Sequence, residues 1–292
     1  MGRLPLPRNI ARWLDLSNYR GNLSLLFDRG MDGYGQEWGI RKADPKKGEE
    51  EGRKKFLTDF VESFSKAPLP EYDAFIARRH ASFEFGVKAG GFSAKRVELK
   101  SGNRLVIGLG LPHPTETGFL FDRLTGCPYL PGSSVKGMLR AAAGLTAEGN
   151  LEGDTVFWRY HQRRIFGSDK SDPAGLAKGR MVFYDAFPKK WPRLAIDILT
   201  PHYPGYYSGK GNPYPGDWES PRPIPLITIE AGATFVFHIE SIEREEKDRK
   251  QDELAVEGLL TVALDWLGIG GKKSAGYGMI WEKVETPVAT GN

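Results

Sequence analysis

The amino-acid sequence predicts an α+β fold, because stretches with helical spacing of apolar residues alternate with short β-rich runs. From Arg104 onward the predicted order is strand, helix, strand, strand, helix, strand, with insertions. That order is the split β-α-β arrangement of ferredoxin-like folds, which the RNA-recognition-motif fold shares. We therefore predict a ferredoxin-like domain over residues 81–292 and an N-terminal, partly helical extension with a charged insertion over residues 1–80.

The predicted elements of the extension are mainly helical. In order they are an extended arm to residue 16, a short helix over 18–27, a glycine-rich loop over 29–39, a charged insertion over 42–55, and helices over 56–64 and 69–79. The charged insertion has little to bury, so we expect it to be solvated or disordered. The last helix ends in Arg78, Arg79 and His80, which either contact phosphate groups of a ligand or form an exposed basic helix end.

The sequence of residues 81–292 predicts the strands and helices of the ferredoxin-like domain. In order they are strands over 82–87, 104–109 and 119–121, a helix from residue 133, a helix over 155–165, strands over 180–183 and 194–199, a loop over 201–225, hairpin strands over 224–230 and 234–240, a helix after the charge run 243–253, and a strand over 277–284. Gly167 is expected to end the second of these helices with a positive φ. The loop over 201–225 is too rich in proline and glycine for regular structure, so we expect its own aromatic residues to order it.

The bulk composition is that of a globular chain with a hydrophobic core, since 40% of its 292 residues are hydrophobic and 27% are charged. A net charge of +4 favours anionic partners, although evenly spread lysines would give the same sum. The single cysteine, Cys127, excludes an internal disulfide and a multi-cysteine zinc site, and we expect it to be buried. No apolar run is long enough to span a bilayer, and the N-terminus lacks a signal-peptide core, so a reducing cytoplasm is the expected compartment.

The stretch from Pro128 to Arg140, PYLPGSSVKGMLR, predicts a strand end, a Pro-Gly turn and a helix start. Ser133 and Ser134 are expected to cap this helix, because a serine oxygen accepts from the free N–H groups of the first turn. Lys136 and Arg140 lie one turn apart and share a face. Free N–H groups, the helix dipole and two cations suit a phosphate. A capped helix with two solvated basic residues is the alternative.

A glycine-rich stretch from Leu267 to Met279, LGIGGKKSAGYGM, is the second candidate anion site. Its glycines let the backbone approach a ligand closely, and successive N–H groups in such a turn can bind phosphate. It is neither a Walker motif nor a dinucleotide fingerprint, because the glycines follow a helix and precede a strand. A sharp helix-to-strand turn is the alternative. With Gly132 and the residues named above, the predicted ligand contacts of the two anion sites are Gly270, Gly271, Lys272, Lys273, Ser274 and Tyr277, the last as a face on which a base could stack.

No pattern in the sequence predicts an active site. His202, in a Thr-Pro-His-Tyr context, is the most suggestive general base, but a histidine in such a loop more often makes a structural hydrogen bond. Asp185 and Asp197 lie in separate apolar segments without metal-ligand spacing. We therefore expect no catalytic residue, no bound metal and no cofactor.

Three stretches carry a resemblance to a known family. Residues 128–140 resemble the signature helix of the RAMP proteins, which are RNA-binding subunits of CRISPR effectors, and residues 267–279 resemble the glycine-rich loop of that family. Residues 185–188, 197–203 and 206–207 are similar to the sixth-subunit family of the type III-B (Cmr) effector complex. The resemblance covers roughly residues 104–281.

This resemblance implies a RAMP domain in a non-catalytic RNA-binding subunit that holds the 3′ part of the guide RNA and caps the backbone filament in antiviral interference. The implied partners are CRISPR guide RNA, target RNA and other RAMP subunits of the complex, namely the backbone subunit and the other end-capping subunit, with no membrane. We expect Lys136, Arg140, Lys272 and Lys273 to hold the sugar-phosphate chain with little sequence preference. Two alternatives stay open: a metal-independent, guide-processing endoribonuclease that uses His202 or His161, and a protein-only scaffold.

Overall fold

The computed structural model describes residues 21–34, 39–42, 51–66, 69–88, 93–168, 172–203, 206, 209, 214 and 223–284. Its elements in chain order are α1 (Leu23–Arg29), α2 (Gly52–Ser65), α3 (Leu69–Lys88), β1 (Ser93–Ser101), α4 (Gly132–Ala147), α5 (Thr155–Phe166), β2 (Met181–Phe183), β3 (Phe187–Pro188), β4 (Leu194–Leu199), β5 (Ile224–Ile229), β6 (Thr234–Ser241), α6 (Glu246–Trp266) and β7 (Trp281–Lys283).

The chain divides into two compact units, each assembled from separate segments. The first takes its described residues from Met1–Ala67, Gly108–Gly126 and Arg193–Thr228, and the second takes them from Pro68–Ile107, Cys127–Pro192 and Ile229–Asn292. The predicted boundary between residues 80 and 81 falls within α3. The division into an extension and a RAMP domain stays a prediction.

The second unit is built on an antiparallel sheet in the order β2-β6-β1-β7, and β3 also pairs with β6. Helix α4 lies in sequence between β1 and β2, and these two strands flank β6 in the sheet. Helix α6 connects β6 to β7, and these two strands flank β1. Two interleaved β-α-β units of this kind are the ferredoxin-like arrangement, which confirms the predicted fold class.

The two faces of this sheet differ in polarity. Val97 and Leu99 of β1 lie opposite Phe237 and Phe235 of β6 on one face, where all four are buried. Helix α6 contacts β1, β6 and β7 and packs against α4, so the main core lies between these helices and the sheet. The alternate residues of the same strands, including Arg96, Glu98, His238 and Glu240, form a polar face.

The first unit has an aromatic core of its own. The ring of Phe27 on α1 lies 5.2 Å from that of Phe60 on α2 and 5.4 Å from that of Phe121, measured between centroids. Phe56 and Phe64 complete the cluster. Strands β4 and β5 pair to form a two-stranded sheet.

Several predicted elements are confirmed by the structure. Helix α2 covers the apolar run at 56–64, and the predicted helix over 69–79 continues to Lys88. Helix α5 ends at Gly167 with a φ of +80°, as expected. Strands β2, β4 and β7 lie within the predicted ranges 180–183, 194–199 and 277–284. Helix α6 begins inside the charge run at 243–253 and continues beyond it, as predicted. Cys127 is buried. The arm to residue 16 and most of the loop over 201–225 lie outside the described residues.

The predicted strand over 82–87 is wrong, because these residues form the last turns of α3. Tyr72 and Ile76 are buried on this helix one turn apart, and the stacking of Phe83 on His238 continues that helical stripe past residue 80. Two phenylalanines two positions apart, Phe83 and Phe85, match the alternation of a strand over this short run. The helical spacing of buried residues extends over a longer segment, and the chain follows it.

The predicted strands over 104–109 and 119–121 are wrong, since the described residues in these ranges form isolated β-bridges and no strand. One bridge joins Leu105 to Ile229, and Phe121 is a second bridge residue. The true first strand, β1, lies earlier and was missed because its sequence, SAKRVELKS, is rich in charge. Its central carboxylate, Glu98, is buried, and Lys189 donates to it at 2.8 Å. A partner 91 residues away cannot be seen in local sequence.

The predicted hairpin over 224–240 is also wrong. Both strands exist as β5 and β6, but β5 pairs with β4 whereas β6 pairs with β1. Gly232, in the predicted hairpin turn, donates its N–H to the carbonyl of Ser101 at 2.7 Å. The turn is therefore hydrogen-bonded to the end of β1.

Candidate nucleic-acid interface

The signature stretch forms the start of α4, but its serines do not cap the helix. Pro131 occupies the N-cap position, and its carbonyl accepts from Ser134 N–H at 2.9 Å and from Val135 N–H at 3.1 Å. Ser133 and Ser134 lie in the first turn and are exposed. The predicted serine cap is therefore wrong, because the Pro-Gly turn starts the helix earlier than expected.

A carboxylate from a distant segment satisfies the first N–H group of α4 instead. Gly132 N–H donates to Oδ1 of Asp185 at 2.7 Å, across 53 positions of sequence. An anion from the protein itself therefore occupies part of the helix N-terminus, where both the N–H group and the dipole favour negative charge. Asp185 belongs to one of the stretches that resemble the type III-B family.

Steric packing explains why residue 132 is a glycine. A Cβ atom at this position would lie 2.1 Å from the carbonyl oxygen of Phe183, which is closer than any real contact. Helix α4 therefore starts directly against the end of β2. This close approach accounts for the Pro-Gly turn whether or not a ligand binds there.

The two cations of α4 follow from helical spacing, as predicted. Lys136 is half-buried and Arg140 is exposed. Val135, Leu139 and Ala143 are buried on the other side of the helix. The arrangement leaves a basic face one turn long, rather than a closed pocket.

The glycine-rich loop is fixed by the segment that follows β1. Gly271 N–H donates to the carbonyl of Val106 at 2.7 Å, and Gly278 N–H donates to the carbonyl of Arg104 at 2.8 Å. A Cβ atom at Gly270 would lie 2.4 Å from the Val106 oxygen. Backbone-to-backbone packing thus requires glycine at 270 and 278, and the hydrogen bonds make the loop a rigid helix-to-strand connection.

Three polar side chains of this loop point away from that packing. Lys272, Lys273 and Ser274 are exposed at the start of a short 3₁₀ turn over Lys273–Ala275, and Tyr277 is partly buried. Lys272 has a φ of +56°, which is uncommon for any residue with a side chain. Locally strained backbone is often kept where it presents a functional group.

The sheet register places the two predicted anion sites at different points of the second unit. Gly132 lies against Phe183, whose partner Ile239 pairs with Lys95 of β1. The glycine-rich loop lies beyond Ser101, at the other end of β1. Six residues along a strand correspond to about 20 Å, so the two sites are separate patches. The expectation that one RNA strand contacts both stays a prediction.

The polar sheet face contains charged residues that sequence reasoning did not assign to the site. Burial raises the pKa of Glu98, but hydrogen bonds and charge from Lys189 and Arg96 outweigh it and hold that pKa below its usual range. Glu98 is therefore a carboxylate bridging two cations. The signal in the sequence was the alternation of charge in β1, which is typical of a sheet with one polar face.

The histidines considered as general bases do not meet a catalytic partner among the described contacts. His202 is exposed, and its nearest ring contact is Tyr203 at 6.2 Å between centroids. His161 lies against Phe157 at 4.5 Å. Within the part of the chain that the structure describes, no group of three His, Cys, Asp or Glu residues is arranged to hold a metal. No described helix has the length and apolar character needed to cross a membrane.

Comparison with known proteins identifies the class to which this fold and these motifs belong. The profile of the RAMP superfamily matches residues 98–281, so the chain belongs to the RAMP superfamily. It is 32% identical over 241 residues to the CRISPR system Cmr subunit Cmr6 of Pyrococcus furiosus (strain ATCC 43587 / DSM 3638 / JCM 8422 / Vc1), covering 64% of this chain and 67% of that protein. Both findings confirm the resemblance inferred from the three stretches.

Two solved structures are also similar. A chain in the cryo-EM structure of the type III-B Cmr-beta complex bound to cognate target RNA aligns with a TM-score of 0.58 at 21% identity, over 85% of this chain and 77% of that one. The crystal structure of Cmr6 from Pyrococcus furiosus aligns with a TM-score of 0.41 at 28% identity, over 67% of this chain and 100% of that one. The first of these likenesses supports the fold.

Proposed function

We propose that this chain is an RNA-binding, non-catalytic subunit of a type III-B CRISPR ribonucleoprotein. The observation that carries the proposal is its 32% identity with Cmr6, which is by name a subunit of the Cmr system. In this role the chain holds the 3′ part of the guide RNA and caps the backbone filament. Its partners are guide RNA, target RNA and the neighbouring RAMP subunits.

The chemistry of the two basic patches supports an RNA-binding role. Lys272 and Lys273 are exposed on a loop whose backbone is fixed by hydrogen bonds to residues 104–106, so little ordering entropy is lost on binding. Lys136 and Arg140 add a second patch on α4. Lysine and arginine contacts to phosphates position RNA without reading its sequence, which suits a protein that must accept many guides.

Exposed apolar side chains on α5 support assembly with other subunits. Val156 is 64% exposed and Tyr160 is 73% exposed, and the two lie one helical turn apart. Tyrosine is a common anchor at protein interfaces. The N-terminal extension and the aromatic loop after Pro201 are further candidates for subunit contacts.

The RNA-binding site is tested by measuring affinity for a guide-like RNA over a range of salt concentrations. The test variant replaces Lys136, Arg140, Lys272 and Lys273 by alanine. A control variant replaces Lys66, Arg244, Lys247 and Lys250, which removes the same charge elsewhere. Each phosphate contact with single-stranded RNA contributes about 0.7 to the magnitude of the slope of log affinity against log salt. The slope of the test variant should therefore be smaller in magnitude by up to about 3. Coincident curves for wild type and test variant would reject the site.

The enzymatic alternative is tested with the same protein. Purified chain incubated with repeat RNA and a chelator should leave the RNA intact. Metal-independent cleavage that disappears in His202→Ala would replace the non-catalytic assignment with a guide-processing endoribonuclease. If RNA never crosslinks near Lys136 or Lys272 in the assembled complex, the protein-only scaffold becomes the better description.

A further inference from the structure

A cavity in the second unit lies between α3 and the polar face of the sheet. Its volume is about 650 Å³, and its walls include Phe75, Arg78, Arg79, Phe83 and Tyr184. Pockets that bind small ligands typically have about 300–1,000 Å³, so one nucleotide fits within this range. None of the residues that line the cavity belongs to α4 or to the glycine-rich loop.

The aromatic walls are held in place by contacts behind them. The ring of Phe83 stacks on the buried ring of His238, with centroids 4.0 Å apart and planes 10° apart, and it meets the edge of Tyr184 at 4.8 Å. The Tyr184 hydroxyl donates to the Glu240 carboxylate, which fixes the orientation of that ring. Phe75 and Tyr184 are only partly buried. Fixed aromatic rings of this kind are the platforms on which single-stranded bases stack.

The His238 ring, which lies behind Phe83, is uncharged at neutral pH. Burial, together with the nearby charges of Arg79, His80 and Arg96, lowers the pKa of His238 to about 3. His80 Nδ1 lies 3.3 Å from His238 Nε2, so the two rings share one hydrogen bond. The cavity wall carries the negative charge of Glu240, and its positive charge lies with its two arginines.

Two consecutive arginines supply that charge. The guanidinium of Arg79 lies over the rings of Phe83 and Phe187, at 5.4 and 5.0 Å, and donates to the carbonyl of Asp185 at 2.6 Å. Arg78 is exposed at the same wall. Guanidinium groups present several planar donors that match phosphate oxygens.

Gly86 is hard to explain by packing alone. It lies within α3, where glycine destabilises a helix relative to alanine, and a Cβ atom at this position would meet nothing within 4 Å. Gly132 of α4 and Gly270 and Gly278 of the loop are required by close backbone contacts, whereas Gly86 borders open space in the cavity wall. With Ser82 one turn earlier and Ala94 across from it on β1, Gly86 keeps the wall free of large side chains.

We propose that this cavity binds one nucleotide of a single-stranded RNA, with the base against Tyr184 and Phe75 and the phosphate beside Arg78. An aromatic wall alone would also suit an apolar peptide side chain, but two adjacent arginines favour a phosphodiester. The proposal rests on the proposed RNA-binding function and adds a contact to a base, which the lysine patches do not make.

The test blocks the cavity without removing any existing contact. Gly86→Phe places a ring in the open space, and Gly258→Phe on α6 is the matched control, because a Cβ atom there also meets nothing within 4 Å. The probe is a single-stranded RNA that carries 4-thiouridine. We expect crosslinks to Tyr184 or Phe75 in the wild type and in Gly258→Phe, and their loss in Gly86→Phe. Affinity should fall about tenfold with an unchanged salt slope, because base stacking releases few counterions.

Each other outcome has a defined meaning. RNA binding by Gly86→Phe equal to that of Gly258→Phe, or crosslinks confined to other residues, overturns the cavity site while the lysine patches still account for the proposed function. A wild-type chain that binds no RNA overturns both proposals. If Gly86→Phe does not fold, Ser82→Phe blocks the same wall, since Ser82 is exposed and its hydroxyl bonds only within its own helix, to the Arg78 carbonyl.

Discussion

The start of α4 and the glycine-rich loop both place glycine beside serine and lysine, but their backbone N–H groups have different partners. At α4, Gly132 N–H donates to the Asp185 carboxylate, so the protein supplies its own anion. In the loop, Gly271 and Gly278 donate to neutral backbone carbonyls, and Lys272 and Lys273 remain exposed without a competing carboxylate at those N–H groups. The difference teaches that a glycine pattern reports backbone packing, whereas the distribution of charge around it indicates where a phosphate fits.

The largest expected effect distinguishes glycines whose Cβ atom would clash with neighbouring backbone from glycines that only adopt a positive φ. Gly132→Ala puts a Cβ atom 2.1 Å from the Phe183 oxygen, and Gly278→Ala puts one 1.9 Å from the Ile269 oxygen at a φ of +66°. We expect each to lower the free energy of unfolding by about 2–4 kcal/mol, because backbone atoms must move. Chemical denaturation of the purified variants measures this change.

Two further glycines serve as controls for that series. Gly276 has a φ of +87° but meets nothing within 4 Å, so Gly276→Ala should cost only about 1 kcal/mol for the left-handed backbone. Gly137, on α4, also meets nothing, and Gly137→Ala should stabilise the helix by about 0.5–1 kcal/mol. Equal losses across all four variants would show that close packing does not set these glycines apart.

The next effect concerns the anion at the start of α4. Asp185→Ala removes the acceptor of Gly132 N–H, so we expect a loss of about 1 kcal/mol in unfolding free energy. Asp185→Asn keeps an acceptor oxygen and should lose less. The same denaturation assay tests both variants. If Asp185→Ala is as stable as wild type, the carboxylate is not the effective cap, and the N-terminus of α4 becomes available to an external phosphate.

The contrast between the two segments also explains how far sequence reasoning reached. Local signals were sufficient for α5 with its terminal Gly167, for the buried side of α4 and for the exposure of Lys272 and Lys273, because these depend on residues a few positions apart. The cap of α4 was not predictable, since its carboxylate comes from Asp185. Strand β1 was missed for a related reason: Glu98 is stabilised by Lys189, a contact created only by the fold.

The same limit applies to the candidate site. Sequence motifs identified both basic patches, but the register of β1 against β6 determines that they lie about 20 Å apart along the strand direction. The cavity beside α3 was not predicted either. Arg78, Arg79 and His80 were noted as a basic helix end, whereas Tyr184 and His238 join them only through the sheet.

The smallest expected effect tests whether the loop keeps a strained backbone in order to present charge. Lys272 adopts a φ of +56°, which costs a residue with a Cβ atom about 1 kcal/mol relative to glycine. Lys272→Gly should therefore raise the free energy of unfolding by about 0.5 kcal/mol, after the added chain entropy of glycine is subtracted, while lowering affinity for guide-like RNA. Lys272→Ala loses the same charge but keeps the strain, so it should bind RNA as weakly without the gain in stability. Denaturation and RNA titration of the two variants together distinguish the effects, and RNA binding unchanged in both would mean that this lysine has no phosphate partner.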